Sequence, residues 1–224
     1  MMDERKITNC LLVLIVLSGM VAACHRPNTR SLISNDLLLP SSQAGERVAN
    51  AEIPIALVKV AADGSLAITR GGRANDRIDL SSLPKLREAA PKGRIWLACN
   101  GEIPLATVLS VIDQVAAYSG FDKIDFLVRS PDGSLASLPY DLIIPAPLIE
   151  PAYFDEAGNK LGSKIVRLEI RPGRIDREKM VVPAESFVTL IDSSGSWQDG
   201  VNAIDFLTSK HISGYSFAKR PSLR

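Results

Sequence analysis

Few residues in this 224-residue chain have the types and spacing that do chemistry. Its two histidines, His25 and His211, stand far apart and outside any ligand-spaced cluster, so zinc is not expected. The serines lack the G-x-S-x-G elbow of a hydrolase nucleophile. Neither a P-loop nor a G-x-G-x-x-G fingerprint is present. Ser193-Ser194-Gly195-Ser196 reads as a helix cap rather than a phosphate cradle. Asp63, Asp132, Asp155 and Glu156 fall at turn signals, where short acidic side chains bind their own backbone. Cys99 closes the apolar run Ile95-Trp96-Leu97-Ala98 and is expected to be a buried thiol. Trp96 and Trp197 are expected in the core. The best polar candidate is the group Arg70, Arg73 and Arg77 on one loop, a potential contact for anionic envelope polymer or lipid headgroups. Catalytic residues, metal and cofactors are therefore not expected, and the chain reads as non-enzymatic.

The strongest chemical signal is at the N-terminus. A polar start carrying Asp3, Glu4, Arg5 and Lys6 is followed by an uncharged run from Cys10 to Ala23. That run has the length of a signal-peptide core and falls short of the ~20 apolar residues that cross a bilayer. It ends in Val21-Ala22-Ala23-Cys24, which resembles the lipobox of bacterial lipoproteins. The resemblance implies cleavage before Cys24 and acylation of its thiol and new amine, palmitate included. Each buried methylene adds roughly 0.8 kcal/mol, so two or more chains anchor stably. His25 stands where an Asp would be the familiar inner-membrane retention cue, which favours a periplasm-facing protein on the outer membrane.

Without residues 1–23 roughly 200 residues remain, enough for one or two domains with real cores. The net charge of +1 gives no reason to expect nucleic acid as a partner. With Cys10 removed and Cys24 lipidated, only Cys99 is left and no intrachain disulfide can form.

Five segments are expected: signal 1–23, tether 24–51 with Pro27, Pro40 and Gly45, a first domain 52–131, a Pro-rich linker 132–163, and a small second α/β domain 164–224. Within the tether, Leu37-Leu38-Leu39 is a short apolar stretch suited to local packing. In the first domain, Ile53–Val60 and Leu66–Thr69 read as a hairpin about Ala62-Asp63-Gly64-Ser65. A helix from Ser81 or Ser82, carrying Leu83, Leu86 and Ala90, stops at Pro91-Lys92-Gly93. Strand Arg94–Cys99 leads to a helix begun by Pro104, with Val108, Val111, Ile112 and Val115 at helical spacing and Gly120 as left-handed cap. Strand Ile124–Val128 closes the order β-β-α-β-α-β, an α+β fold with helices on one face of the sheet.

The second domain reads as strands Lys164–Ile170, Arg174-Ile175, Ser186–Ile191 and Tyr215–Ala218, with a helix capped by Ser196. It resembles a shortened copy of the first. Ile95–Cys99 sets against Phe187–Ile191, Ile112-Asp113 against Ile204-Asp205 and Gly120 against Gly214, at offsets of about 92 to 94 residues. The first strand pairs only at a larger offset, as if the first helix were missing.

The first domain, over about residues 53 to 130, resembles the periplasmic domain of the ExbD/TolR family. The residues that carry it are Ile55–Val60, Ala62-Asp63-Gly64-Ser65-Leu66, the spaced Leu80, Leu83 and Leu86, Arg94–Ala98, Pro104–Asp113 and Gly120–Ile124. The resemblance implies dimerisation and contact with an envelope protein or peptidoglycan. The family's proton-carrying transmembrane aspartate has no counterpart in the run Cys10–Ala23. The expectation is thus a lipid-anchored interaction module; the alternative is an energy-transducing ExbD-type subunit of a biopolymer transport complex that keeps its N-terminal helix.

Overall fold

The computed structural model describes residues 33, 37–49, 52–73, 75–142, 165–175, 187–192, 194–212 and 214–218. The elements, in chain order, are β1 (Glu46–Arg47), β2 (Ala56–Val60), β3 (Leu66–Arg70), a 3-10 turn (Leu80–Ser82), α1 (Leu83–Ala89), β4 (Ile95–Cys99), α2 (Leu105–Ser119), β5 (Lys123–Arg129) and β6 (Leu135–Asp141). They are followed by β7 (Ile165–Arg171), β8 (Arg174–Ile175), β9 (Phe187–Asp192), α3 (Trp197–Ser209) and β10 (Tyr215–Ala218). The protein is α+β, as expected.

Six strands form the first sheet, in the order β1-β6-β5-β4-β2-β3. β2 and β3 are an antiparallel hairpin, with Gly64 at φ 80° and Asp63 Oδ1 accepting from the Ser65 amide at 2.9 Å. β4 runs parallel to β2, and β5 parallel to β4. The central strands are apolar at nearly every position because both faces of the sheet are covered. On one face Val58, Leu97 and Phe126 join the cluster that holds Leu83 of α1 and Val108, Ile112 and Val115 of α2. The alternate residues Leu57, Trp96, Ala98 and Leu127 point the other way. Both helices thus pack on the one face. Neither Ser81 nor Ser82 caps α1 with its side chain; Asp79 and Ser82 occupy the cap positions without that bond.

The far face corrects the expected tether. Ile33, Leu37, Leu39 and Val48 pack on Leu57, Trp96, Ala98, Leu127 and Leu135. Leu38, between two buried leucines, is 60% exposed. The Arg129 amide donates to Pro40 O and the Ser42 amide to Arg129 O, both at 2.8 Å. β1 then pairs antiparallel with β6. Residues 37–49 are therefore a strap built into the fold. Its apolar residues are too few and too widely spaced among Ser, Pro and Gly to mark it in the sequence.

The expected Pro-rich linker 132–163 also needs correction. Leu135–Asp141 is a full strand, antiparallel to β5 from Arg129↔Leu135 to Lys123↔Asp141. Pro139 does not prevent this, because β1 covers β6 only at Ala136 and Ser137. The proline sits where β6 is the sheet edge and needs no outward donor. Residues 143–164, with the expected turn at Glu156–Asn159, lie outside the described residues.

The second sheet has the order β10-β9-β7-β8. β7 and β8 are antiparallel, β9 runs parallel to β7, and β10 parallel to β9. The first sheet has the same sequence of relations in β3-β2-β4-β5. The stretch from β7 to β9 is much shorter than that from β2 to β4: Ile165 pairs with Phe187, whereas Ala56 pairs with Ile95. This is the larger offset of the first strand. Gly214 directly precedes β10, whereas the left-handed residue after α3, as Gly120 is after α2 at φ 61°, is His211 at φ 59°.

The two units meet through the loops that start α2 and α3. Pro104 and Ser196, each preceding its helix, form an antiparallel bridge. The Leu105 amide donates to Gly195 O at 2.9 Å, and the Trp197 amide to Ile103 O at 2.8 Å. Equivalent residues thus exchange equivalent bonds about a local two-fold axis. Both units contribute to a single apolar cluster.

Candidate functional site

The arginine loop is built at the open end of the β2–β3 hairpin. The Arg70 amide donates to Asp76 O at 2.9 Å, and Thr69 bridges Arg77, closing the loop back on β3. Arg70, Arg73 and Arg77 are exposed. Ion pairs found among the described residues involve none of the three. The same turn of chain protects the sheet edge, since the Ile78 amide donates to Ile68 O at 3.0 Å.

β2 register places this loop at the end of the sheet where β4 begins, because Ala56 lies beside both Arg70 and Ile95. Further along that end is a cleft of about 380 Å³, lined by residues 87, 91–94, 121–125 and 139. It forms where α1 and α2 finish and β4 and β5 start. Gly93 permits the approach of the turn to the sheet: a Cβ there would overlap Ile55 Cγ2. Arg87, in the last turn of α1, crosses Gly120 and lies 5.8 Å from the Phe121 ring centre.

Asp125 is the unusual group of the cleft, a carboxylate inside the apolar strand Ile124–Val128. Its side chain is only 7% exposed and meets Arg94 at 3.3 Å. Burial raises its pKa above the ordinary value of 3.8, and the Arg94 charge and hydrogen bond offset part of that rise. Arg94 also lies 3.9 Å from Glu52, and Lys123 pairs with Asp141 at 3.0 Å. Arg87, Lys92, Arg94 and Asp125 do not stand out as a group in the sequence. An aspartate within an apolar strand was the available signal, since a buried charge requires a partner.

The other singled-out residues have structural surroundings. Cys99 is free and buried, and burial pushes its thiol well above the usual range. Trp96 and Trp197 are buried. Asp132 accepts from the Ser134 amide at 2.9 Å and Ser130 Oγ at 2.7 Å and pairs with Arg47 at 3.2 Å; these contacts hold its carboxyl well below the usual range. Ser196 caps α3 in a reciprocal box with Asp199. His211 is exposed. Cys24, His25, Asp155, Glu156 and Ser193 lie outside the described residues. Among the described residues no helix is long and apolar enough to cross a membrane.

A second polar cluster joins the strap to α3. Asp205 accepts from Ser42 Oγ at 2.6 Å, the Gln43 amide at 2.7 Å and the Ala44 amide at 3.1 Å. The Gln198 side chain accepts from the Ser41 amide at 2.8 Å and donates to Ser41 O at 2.9 Å. The arrangement positions backbone and holds the strap against both units. The arginine loop carries three exposed cations, and the cleft is lined by Arg87, Lys92, Arg94 and Lys123 with Asp122 and Asp125.

Comparison with protein-family models, curated proteins and solved structures gives no match.

Proposed function

We propose that the mature chain is a non-enzymatic interaction module of the bacterial envelope, held at a membrane through lipidated Cys24 and docking an envelope protein or peptidoglycan. The observation that supports this best is the strap. Residues 37–49 are bonded to both units, and the stretch from Cys24 to Ile33 spans at most about 30 Å when fully extended. A lipid on Cys24 would therefore hold the folded body close to the headgroups. The outer membrane is favoured by His25 in place of an aspartate.

We read the first unit as ExbD/TolR-like on its hairpin–helix–strand–helix–strand order, and the second as a shortened copy on its matching strand order. The face each unit turns to the other is buried within one chain, so a homodimer would use a different surface. Arg70, Arg73 and Arg77 are the contacts proposed for anionic polymer.

The test is the intact mass of the membrane-extracted protein, together with in-cell crosslinking of wild type and Cys24→Ala. A mass starting at Cys24 with acyl chains, and an envelope partner lost in Cys24→Ala, are the expected results. Retention of residues 1–23 would overturn the anchor and favour the energy-transducing ExbD-type subunit. Peptidoglycan co-sedimentation is expected to weaken when all three arginines become glutamine. Absence of both a crosslinked partner and co-sedimentation would sink the module reading.

A further inference from the structure

We infer that the cleft between the ends of α1 and α2 and the β5–β6 edge binds a short peptide through a free carboxylate on an apolar stem. The inference rests on the interaction-module reading and assigns that module a ligand class. The cleft's size, about 380 Å³, falls among small-ligand sites of roughly 300–1,000 Å³.

Its lining mixes apolar and charged residues: Phe121, Ile124, Pro91 and Pro139 supply the apolar part. Its rim is cationic on the α1 side. Arg87, Lys92 and Arg94 come from the helix end, the following turn and the strand entry, and all three line the cleft. The long Arg87 side chain lies over the Phe121 ring, and Arg94 lies between Asp125 and Glu52. A guanidinium has five donors, so both retain N–H groups for a ligand. Among the described residues, Arg87 and Lys92 have no carboxylate partner.

A helix C-terminus attracts one cation through its dipole, which accounts for Arg87 alone. It does not account for Lys92 and Arg94, which line the same cleft. A carboxylate matches them, because guanidinium presents two parallel N–H groups to its oxygens. The apolar stem covers the exposed Pro139, which a bare anion would leave wet. Asp122 and Asp125 line the β5 side and turn the carboxylate toward α1. Such an end occurs on protein tails and on the stem peptides of peptidoglycan.

The test uses the full mature chain in detergent and calorimetric titration with three probes: the tetrapeptide Ala-Ala-Leu-Ala as free acid, its C-terminal amide, and purified monomeric muropeptides. The free acid is expected to bind saturably and the amide about tenfold more weakly or worse. Lys92→Gln, on an exposed turn, and Arg87→Gln are each expected to weaken the acid, and the double variant to abolish binding. Circular dichroism melts establish that the variants fold. Muropeptides binding better than the tetrapeptide point to the cell wall, and the reverse to protein tails. Equal binding of acid and amide, wild-type binding by the folded double variant, or no saturable binding would overturn the assignment. Failure here with intact crosslinking or co-sedimentation removes the cleft and leaves the module reading standing.

Discussion

Two aspartates buried to different degrees have opposite effects on the fold. Asp205 is a receptor for the strap: its carboxylate gathers one hydroxyl and two amides. Hydrogen bonds to a charged group contribute about 1.5–3 kcal/mol, and orphaned donors add to the loss. Asp205→Ala is therefore expected to lower unfolding stability in urea by about 2–3 kcal/mol. The same change should increase amide exchange at Gln43 and Ala44 well before global unfolding. Asp125 works the other way. Its folded pKa lies above 3.8, so the native chain holds this proton more tightly than the unfolded chain does. The stabilising contribution is complete below 3.8 and is lost as pH rises through the raised folded value. Asp125→Asn removes that titration. Relative to wild type, the variant should be more stable at about pH 7 than at about pH 4, as read by urea unfolding at both. An identical difference at the two pH values would refute the assignment.

Elements set by local pattern were legible, and elements set by distant partners were not. The β2–β3 hairpin, α1, β4, α2 and β5 follow from turn residues, periodicity and a proline–glycine frame around α2. β6 was hidden because its proline is acceptable only where β1 stops. β1 and the strap were hidden because what they cover, Trp96 and Leu57, lies elsewhere in the chain. The arginine loop was legible as three closely spaced cations. The cleft was not, since Arg87, Lys92 and Phe121 are brought together by the ends of two helices. The repeat was legible in β4 and β9, whereas the left-handed end of α3 was not, because it is formed by His211 rather than a glycine. A left-handed residue with a Cβ is strained by roughly 1–2 kcal/mol, while glycine adds back chain entropy. His211→Gly is expected to raise stability by roughly 0.5–1 kcal/mol, readable as a higher melting temperature. The matching Gly120→Ala should do the reverse, since Gly120 has φ 61° and its Cβ would meet the Arg87 guanidinium at 2.8 Å.

At the scale of the whole molecule, two joints make one body from two units. One is the bridge of Pro104 and Ser196 with the aromatic contacts around it. Trp197 meets Phe126 edge-on at 4.8 Å, and the Phe217 amide donates to the Tyr140 hydroxyl at 3.3 Å. Burial at this joint pushes the Tyr140 and Tyr215 phenols upward, so neither ionises near neutrality. The other joint is the strap, which is bound to α3 by Asp205 and Gln198 and to the first sheet by β1 and by Leu37, Leu39 and Val48. Burial of each of those apolar side chains is worth about 2 kcal/mol, a large part of the 5–15 kcal/mol that separates folded from unfolded chains. A soluble form beginning at Arg30 keeps the described strap; one beginning at Ala51 loses it and bares Leu57, Trp96 and Leu127. The first is expected to be monomeric by light scattering and to unfold in one cooperative step. The second is expected to bind a hydrophobic dye, self-associate and melt at least 10 °C lower, on the order of 2–4 °C per kcal/mol for a chain of this size. Equal melting of the two forms would mean that residues 30–50 are a tether after all. The lipid proposed on Cys24 would then act on a free linker, and its position would carry no information about how the folded units are presented.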